Sequence, residues 1–296
     1  ADRTIWRRWK SRASSSRCSP GDDRMTRIAL FQANTGVDPA ANADVLVRAM
    51  DEAAEGGAAM LFTPEMSNLL DRDRERSGQM LRSEQHDETL AKMREAAKRT
   101  GLWLSLGSFA FVNPDETRAN RALVIDPAGN IRASYDKMHM FDVDLASGES
   151  WRESNVYRAG DKPGVVDDTP LGRLGLSICY DIRFPALFDA LGRAQCDAIA
   201  IPAAFTVPTG TAHWHILQRA RAIEASAFVI AAAQVGEHED GRRTYGHSLV
   251  VDPWGEVLLD MGGERAGVGF ADIDPARIQE VRAQVPSLAN RRAIPA

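Results

Sequence analysis

From Met25 onward, short runs of β-branched and other apolar residues alternate with segments whose apolar residues recur every three or four positions. This alternation is typical of layered α/β folds, in which strands form sheets and amphipathic helices cover them. Strand-like runs lie at residues 27–33, 58–65 and 102–111. The sequence therefore predicts an α/β protein whose regular structure begins near Met25.

Two helices are predicted between these strands. The first begins near Asn42, a residue type that favours helix N-termini, and stops at Gly56 and Gly57. The second runs from about Glu84 to Thr100 and closes at Gly101.

A hairpin pattern occurs twice along the chain. Residues 121–137 hold two β-type runs around an Asp-Pro-x-Gly turn at 126–129, and residues 247–260 repeat the arrangement around 252–255. Such turn residues between apolar runs favour antiparallel hairpins. The repeat predicts two similar halves, each with a hairpin in its sheet.

Residues 25–296 contain no linker rich in Gly, Ser or Pro, so we interpret them as one domain. The longest irregular stretch is 142–164, and long loops in compact domains commonly serve function. Residues 1–24 are basic and rich in Ser and Arg, so we expect a disordered extension, with a transit peptide as the alternative.

Composition narrows the functional class. Hydrophobic residues make up 44% and charged residues 26% of 296, as in ordinary globular proteins. The net charge of -5 gives no sequence-wide attraction to nucleic acid or anionic lipid, so neither partner is expected. No apolar stretch approaches the roughly 20 residues of a spanning helix.

The three cysteines, Cys18, Cys179 and Cys196, are too scattered for a disulfide framework, which favours a reducing cytoplasm. No motif indicates a bound metal or nucleotide, so no cofactor is expected.

Among the candidates for chemistry, Cys179 ends an apolar run just before Pro185 can start a helix. A strand-to-helix turn directs backbone N–H groups at developing negative charge, although a cysteine there is often only structural.

Glu65 and Lys137 also follow apolar runs. A solvated strand end and a surface lysine are the simpler interpretations of these two residues. Together with Cys179, however, they provide a nucleophile, a base to take its proton, and a cation to offset the repulsion between carboxylate and thiolate. The cation also stabilises an oxyanion.

The segments around these residues resemble the signature segments of the nitrilase superfamily, in the expected order. They are TPEMSN, YDKMHMFDVD and ICYDIRFP, with further similarity at 204–224, 231–238 and 245–257. The resemblance extends over nearly all of the chain from Met25 and is strongest to the branch with deaminated glutathione amidase and omega-amidase. It implies a four-layer α-β-β-α sandwich of the nitrilase type, a homodimer or higher homo-oligomer, and no cofactor.

The resemblance also implies roles. In a Glu-Lys-Cys triad, Glu65 is the general base, Lys137 stabilises the oxyanion, and Cys179 forms a thioester and releases ammonia. Glu153 helps to position substrate or water, and Tyr180 donates its backbone N–H to the oxyanion.

Substrate contacts are expected from Arg183, Ala204 and Phe205. Arg183 suits a substrate carboxylate, with pairing to Asp181 as the alternative. His139, His213 and His247 keep a Cys-His hydrolase open, although we expect His139, on the same strand face as Lys137, to support the site by hydrogen bonding.

A small carboxylate-bearing amide is the expected substrate, with the deaminated-glutathione type favoured over omega-amidase. N-carbamoyl amino acid hydrolysis and nitrilase activity are further options, the latter less favoured because Tyr180 and Asp181 replace a Trp-Glu pair. His215 stands where the family more often has Glu, which leaves substrate preference open. A non-catalytic scaffold is the alternative from another class.

Overall fold

Two six-stranded sheets face each other across a shared apolar layer. A computed structural model describes residues 25–146, 148 and 150–292, so the predicted extension at 1–24 lies outside the described residues. In strand β1 (Thr26–Gln32), Ile28 and Leu30 point into the layer between the sheets, whereas Ala29 and Phe31 point to the helices outside. Alternation along a strand thus buries both faces of this sheet.

The first sheet has the order β16-β1-β2-β3-β4-β5. Its strands after β1 are β2 (Met60–Phe62), β3 (Trp103–Val112), β4 (Arg118–Ile125), β5 (Ile131–Asp136) and β16 (Gly267–Ile273). β1, β2 and β3 are parallel, and the remaining pairs are antiparallel.

The second sheet has the order β15-β14-β11-β10-β9-β8. Its strands are β8 (Gly164–Thr169), β9 (Gly172–Leu176), β10 (Ala198–Ala200), β11 (Phe228–Ala231), β14 (Leu249–Val251) and β15 (Val257–Asp260). Three parallel strands again lie between an antiparallel hairpin and a single antiparallel strand. The two sheets share one pattern, and the predicted pair of hairpin-bearing halves is confirmed.

Helices cover the outer faces of both sheets. α1 (Pro39–Glu55) and α3 (Glu88–Thr100) pack on the first sheet, and α4 (Pro185–Arg193) and α5 (Val207–Ala225) pack on the second. Two shorter helices, α2 (Arg74–Met80) and α6 (Ala276–Gln284), complete those of the described chain. The result is the predicted four-layer α-β-β-α arrangement. None of the helices in the described ranges has the length and apolar character needed to cross a bilayer.

Both helix starts were predicted wrongly. The cap of α1 is Asp38, whose side chain accepts a hydrogen bond from the Ala40 N–H at 2.9 Å. The helix can begin early because Pro39 is tolerated at its first position. Asn42 is instead buried, and its amide bonds both backbone groups of Gly36.

The second helix starts four residues later than predicted. Glu84–His86 form a separate 3₁₀ turn, and the Asp87 carboxylate caps α3 by accepting from the Leu90 N–H at 2.7 Å. The start of α3 is therefore set by the Asp87 cap, whose side chain bonds an N–H three residues later, and not by the spacing of apolar residues.

The stretch at 142–164 is more regular than expected. It contains a short ribbon of β6 (Asp142–Asp144) and β7 (Ser150–Arg152), followed by a 3₁₀ turn at Glu153–Asn155. A second ribbon, β12 (Val235–Glu237) with β13 (Arg243–Tyr245), lies later in the chain. Residues of β7 and β13 line the same cavity, which is the candidate active site.

Candidate active site

Glu65, Lys137 and Cys179 lie together in a cavity of about 710 Å³. The Lys137 Nζ donates to Glu65 Oε1 at 2.9 Å, and all three residues are more than nine-tenths buried. The simpler interpretations, a solvated strand end at Glu65 and a surface lysine at Lys137, are therefore wrong.

Each of the three residues follows a strand of one of the two sheets. Glu65 comes three residues after β2, so the predicted strand 58–65 ends earlier than expected, and Lys137 follows β5 directly. Cys179 opens a 3₁₀ turn after β9, before α4 begins at Pro185. The site is thus assembled across both sheets.

The turn at Cys179 has an uncommon backbone conformation. Its φ of 50° is in the left-handed region, which side chains other than glycine seldom adopt. The Cys179 N–H donates to the Pro202 carbonyl at 2.8 Å, which connects the turn at Cys179 to the segment that follows β10. Nucleophiles on strained turns are typical of sites that present one side chain to a ligand.

Gly107 allows the segments that carry Glu65 and Cys179 to approach each other. A Cβ added at Gly107 would lie 2.0 Å from the Thr63 carbonyl oxygen and 2.4 Å from the Pro202 Cβ. Thr63 precedes the Glu65 turn, and Pro202 accepts the Cys179 hydrogen bond. Only glycine fits at this junction of the two sheets.

Burial and charge set the protonation states. Burial and the negative charge of Glu65 raise the pKa of the Cys179 thiol well above its usual range, against the opposing charge of Lys137. Burial would raise the pKa of the Glu65 carboxyl, but Lys137 lowers it overall. Burial would lower the pKa of Lys137, but the charges of Glu153 and Glu65 raise it further. At neutral pH the site holds a thiol, a carboxylate and an ammonium group.

Glu153 is the fourth ionisable residue of the site. Its two carboxylate oxygens accept hydrogen bonds from Lys137 Nζ at 3.0 and 2.8 Å, and the Phe141 N–H donates to one of them at 2.7 Å. The ammonium is therefore held between two carboxylates rather than one. Glu153 and Cys179 both line the cavity.

Sequence reasoning missed Asn120. Its Nδ2 donates to Glu65 Oε1 at 2.9 Å and to Glu153 Oε1 at 3.2 Å, so one amide links both carboxylates. The sequence does contain a signal for this residue: Asn120 is a polar residue in β4, between the apolar Ala119 and the apolar run that ends at Ile125. Such a residue needs a partner when buried.

Asp181 was also missed, except as a partner of Arg183, and that pairing is not observed. The fully buried Asp181 carboxylate accepts from Tyr135 Oη at 2.7 Å, from the Ile178 N–H at 2.9 Å and from the His139 N–H at 3.0 Å. It therefore joins β5 and the Lys137 segment to the turn that carries Cys179.

His139 contributes to this Asp181 network rather than to the triad. Its Nδ1 lies 2.6 Å from Asp181 Oδ1, and its ring stacks on Phe184 at 3.6 Å. The prediction that His139 shares a strand with Lys137 is wrong, because β5 ends at Asp136. Hydrogen bonding by His139 to Asp181 therefore helps to hold the turn that carries Cys179.

The remaining predicted contacts line the cavity: Tyr180, Arg183, Ala204 and Phe205. The Ala204 N–H donates to Glu65 Oε2 at 2.9 Å, which orients the carboxylate. Within the described chain, the Tyr180 backbone N–H donates to no protein acceptor. The Arg183 guanidinium contacts His213 Nδ1 at 3.3 Å and lies 5.4 Å from the Phe205 ring centre.

The cavity wall is rich in cations although the chain is acidic overall. Seven arginines and Lys137 line it, against three acidic residues among those described: Glu65, Asp71 and Glu153. Arg74 and Arg118 donate only to a hydroxyl and to backbone carbonyls within the described residues. Such a wall favours a ligand with carboxylate groups.

The family model for carbon-nitrogen hydrolases matches residues 27–283. The chain belongs to the carbon-nitrogen hydrolase family, and the predicted nitrilase-type fold is confirmed. The chain is 36% identical to a deaminated glutathione amidase from Yersinia enterocolitica, with 90% of this chain and 93% of that protein aligned.

The NitFhit fusion protein of Caenorhabditis elegans is 38% identical over 275 residues, or 90% of this chain, which spans 60% of the fusion's length. Its crystal structure has a TM-score of 0.82 at 36% identity, with 91% of this chain and 65% of that chain covered. An amidase mutant from Nesterenkonia sp., with an acetamide moiety on its active-site cysteine, has a TM-score of 0.77 at 26% identity over 92% and 95% of the two chains.

The charge arrangement predicts how the thiol responds when Glu65 is neutralised. Because the Glu65 charge raises the pKa of Cys179 and Lys137 lowers it, Glu65→Gln will shift the thiol titration to lower pH. The thiolate absorbance as a function of pH, with Cys179→Ala as the baseline, measures this shift. An unchanged or higher titration midpoint would contradict the assigned electrostatics.

Proposed function

We propose that this protein is a cysteine amidase that hydrolyses the C–N bond of a small carboxylate-bearing amide, in a catalytic domain of residues 25–296. The observation that carries the proposal is the buried contact of Lys137 with Glu65 and Glu153 beside the Cys179 thiol. Similarity to deaminated glutathione amidases and to an amidase with an acylated cysteine supports it.

In the first step the Cys179 sulfur attacks the amide carbonyl carbon while its proton passes to the Glu65 carboxylate. Because the thiol pKa is raised, proton transfer accompanies attack rather than precedes it. The carbonyl oxygen becomes an oxyanion that the Tyr180 backbone N–H and the Lys137 ammonium stabilise.

Collapse of the tetrahedral intermediate breaks the C–N bond. Glu65 returns the proton to the departing nitrogen, so ammonia leaves and a thioester remains on Cys179. Water then attacks the thioester and gives a proton to Glu65, with Glu153 positioning the water. The C–S bond breaks as Glu65 gives this proton to the leaving sulfur, so the protein releases a carboxylic acid and both the Cys179 thiol and the Glu65 carboxylate are restored.

The substrate proposed is anionic, and the deaminated-glutathione type is favoured over omega-amidase substrates because the relative named above is of that kind. The excess of arginine in the cavity wall supports an acid group at the far end of the amide. We assign the first carboxylate contact to Arg183, beside the Tyr180 and Phe205 rings. A reducing cytoplasm suits a nucleophile that must remain a free thiol.

Ammonia release from deaminated glutathione tests the reaction. Cys179→Ala removes the nucleophile, so we expect turnover to fall by about 1000-fold or more. Cys196→Ala is the matched control, since Cys196 is a buried free cysteine behind the second sheet, and it should retain activity. Equal ammonia release by wild type and Cys179→Ala would end the proposal.

A pair of substrates tests the role of Arg183. Arg183→Gln should raise KM for a carboxylate-bearing amide by about 10-fold or more, because a charge-assisted hydrogen bond is lost, and should leave KM for a neutral amide of equal length unchanged. Arg132→Gln is the control, because Arg132 also lies over an aromatic ring, that of Trp103, but outside the cavity wall. Equal effects on both substrates would contradict a carboxylate contact.

We also propose a homodimer formed through α5. Its Ile216 and Ile223 are 69% and 50% exposed, seven residues apart on one helix face, and Trp254 is a further exposed apolar residue. Ile216→Asp with Ile223→Asp should yield monomers in sedimentation velocity, whereas Val45→Asp on α1 should not. A monomeric wild-type protein would refute the dimer.

A further inference from the structure

Three metal-ligand side chains converge outside the walls of the catalytic cavity. His215 lies on α5, His247 lies between β13 and β14, and Asp260 is the last residue of β15. One ligand atom from each lies within 4.8 Å of the other two. The reaction proposed above uses none of them.

The Asp260 carboxylate is the centre of this cluster. His215 Nε2 lies 2.9 Å from its Oδ2, and His247 Nδ1 lies 2.9 Å from its Oδ1. The side chains of all three residues are between a quarter and a third exposed, so an ion can reach them from solvent.

The cluster is held in place by its surroundings. The Tyr245 ring stacks on His247 at 4.4 Å with 24° between planes and meets His215 edge-on at 6.2 Å. The Gly262 N–H donates to Asp260 Oδ1 at 2.9 Å. Both imidazoles and the carboxylate are thus oriented before any ligand binds, which lowers the entropic cost of coordination.

We propose that His215, His247 and Asp260 bind a divalent transition-metal ion, with Zn²⁺ as the preferred kind and water in the open position. Two imidazoles and one carboxylate are a common donor set for such ions, whereas Mg²⁺ and Ca²⁺ prefer oxygen ligands throughout. An ion about 2.0–2.2 Å from each donor separates neighbouring donors by about 3–3.5 Å. The observed distances of 2.9 Å, from the two imidazoles to different oxygens of the Asp260 carboxylate, are close to this spacing, and the ligand atoms of all three residues lie within 4.8 Å of one another.

Binding would connect β15, the edge strand of the second sheet, to α5 and to the segment that follows β13. A ligand that binds only the folded chain raises its stability by mass action. The site therefore acts as a structural staple, and its detection requires no amidase activity.

Cobalt binding tests the site. All measurements start from a parent variant with Cys18→Ser and Cys179→Ala, so that neither of these thiols competes for the metal. Cys196 is left unchanged because it is fully buried. Titration with Co²⁺, followed by visible d–d absorption, should show one saturable equivalent that Zn²⁺ displaces. His215→Gln and Asp260→Asn should weaken binding by more than about 10-fold, and His86→Gln should not.

Zn²⁺ should also raise the Tm of the parent and of His86→Gln, but not of His215→Gln or Asp260→Asn. If either variant fails to fold, judged by its circular dichroism without metal, His247→Gln removes a ligand from a third element. The proposal is overturned by a parent that binds no saturable Co²⁺, or by ligand variants that bind it as the parent does.

Discussion

The site depends on one buried ammonium group placed between two carboxylates. A carboxylate or an amine that is buried alone carries a large desolvation cost and tends to lose its charge. Glu65 and Lys137 remain ionised because they are buried in contact with each other, with Glu153 as the second partner of the ammonium. The Asn120 amide and the Ala204 N–H occupy further lone pairs of the carboxylates. Removal of any one charge would therefore alter the protonation of the others.

This cluster explains why Cys179 is held as a thiol. A thiolate would place a second negative charge next to that of Glu65, and a buried thiolate lacks the water that would stabilise its charge. The protein therefore keeps a neutral sulfur beside an ionised carboxylate, and in the proposed reaction negative charge develops only as the sulfur attacks a carbonyl. A cysteine in this state also reacts slowly with oxidants, because the thiolate is the reactive form.

The sequence was informative about residues and strands, and less so about contacts. The repeated Asp-Pro-x-Gly turns predicted both hairpins, and the three residues that the sequence singled out, Glu65, Lys137 and Cys179, line one cavity. Asn42 and His139 were misjudged because local spacing cannot reveal that Asp38 caps α1 or that β5 stops at Asp136. The contacts of Asn120 and Asp181 with Glu65, Glu153 and Tyr135 are hydrogen bonds between residues 33 to 55 positions apart. The order of residues along the chain does not reveal contacts over such separations.

Gly107 has a consequence for how the protein acquires activity. The Glu65 carboxylate and the Lys137 ammonium come from one sheet and the Cys179 sulfur from the other, and they meet where Gly107 allows the Thr63 and Pro202 segments to touch. Neither half of the repeat can be a working enzyme by itself, however well it folds. The appearance of turnover during refolding therefore reports the docking of the two sheets, which is a separate event from the formation of their helices and strands.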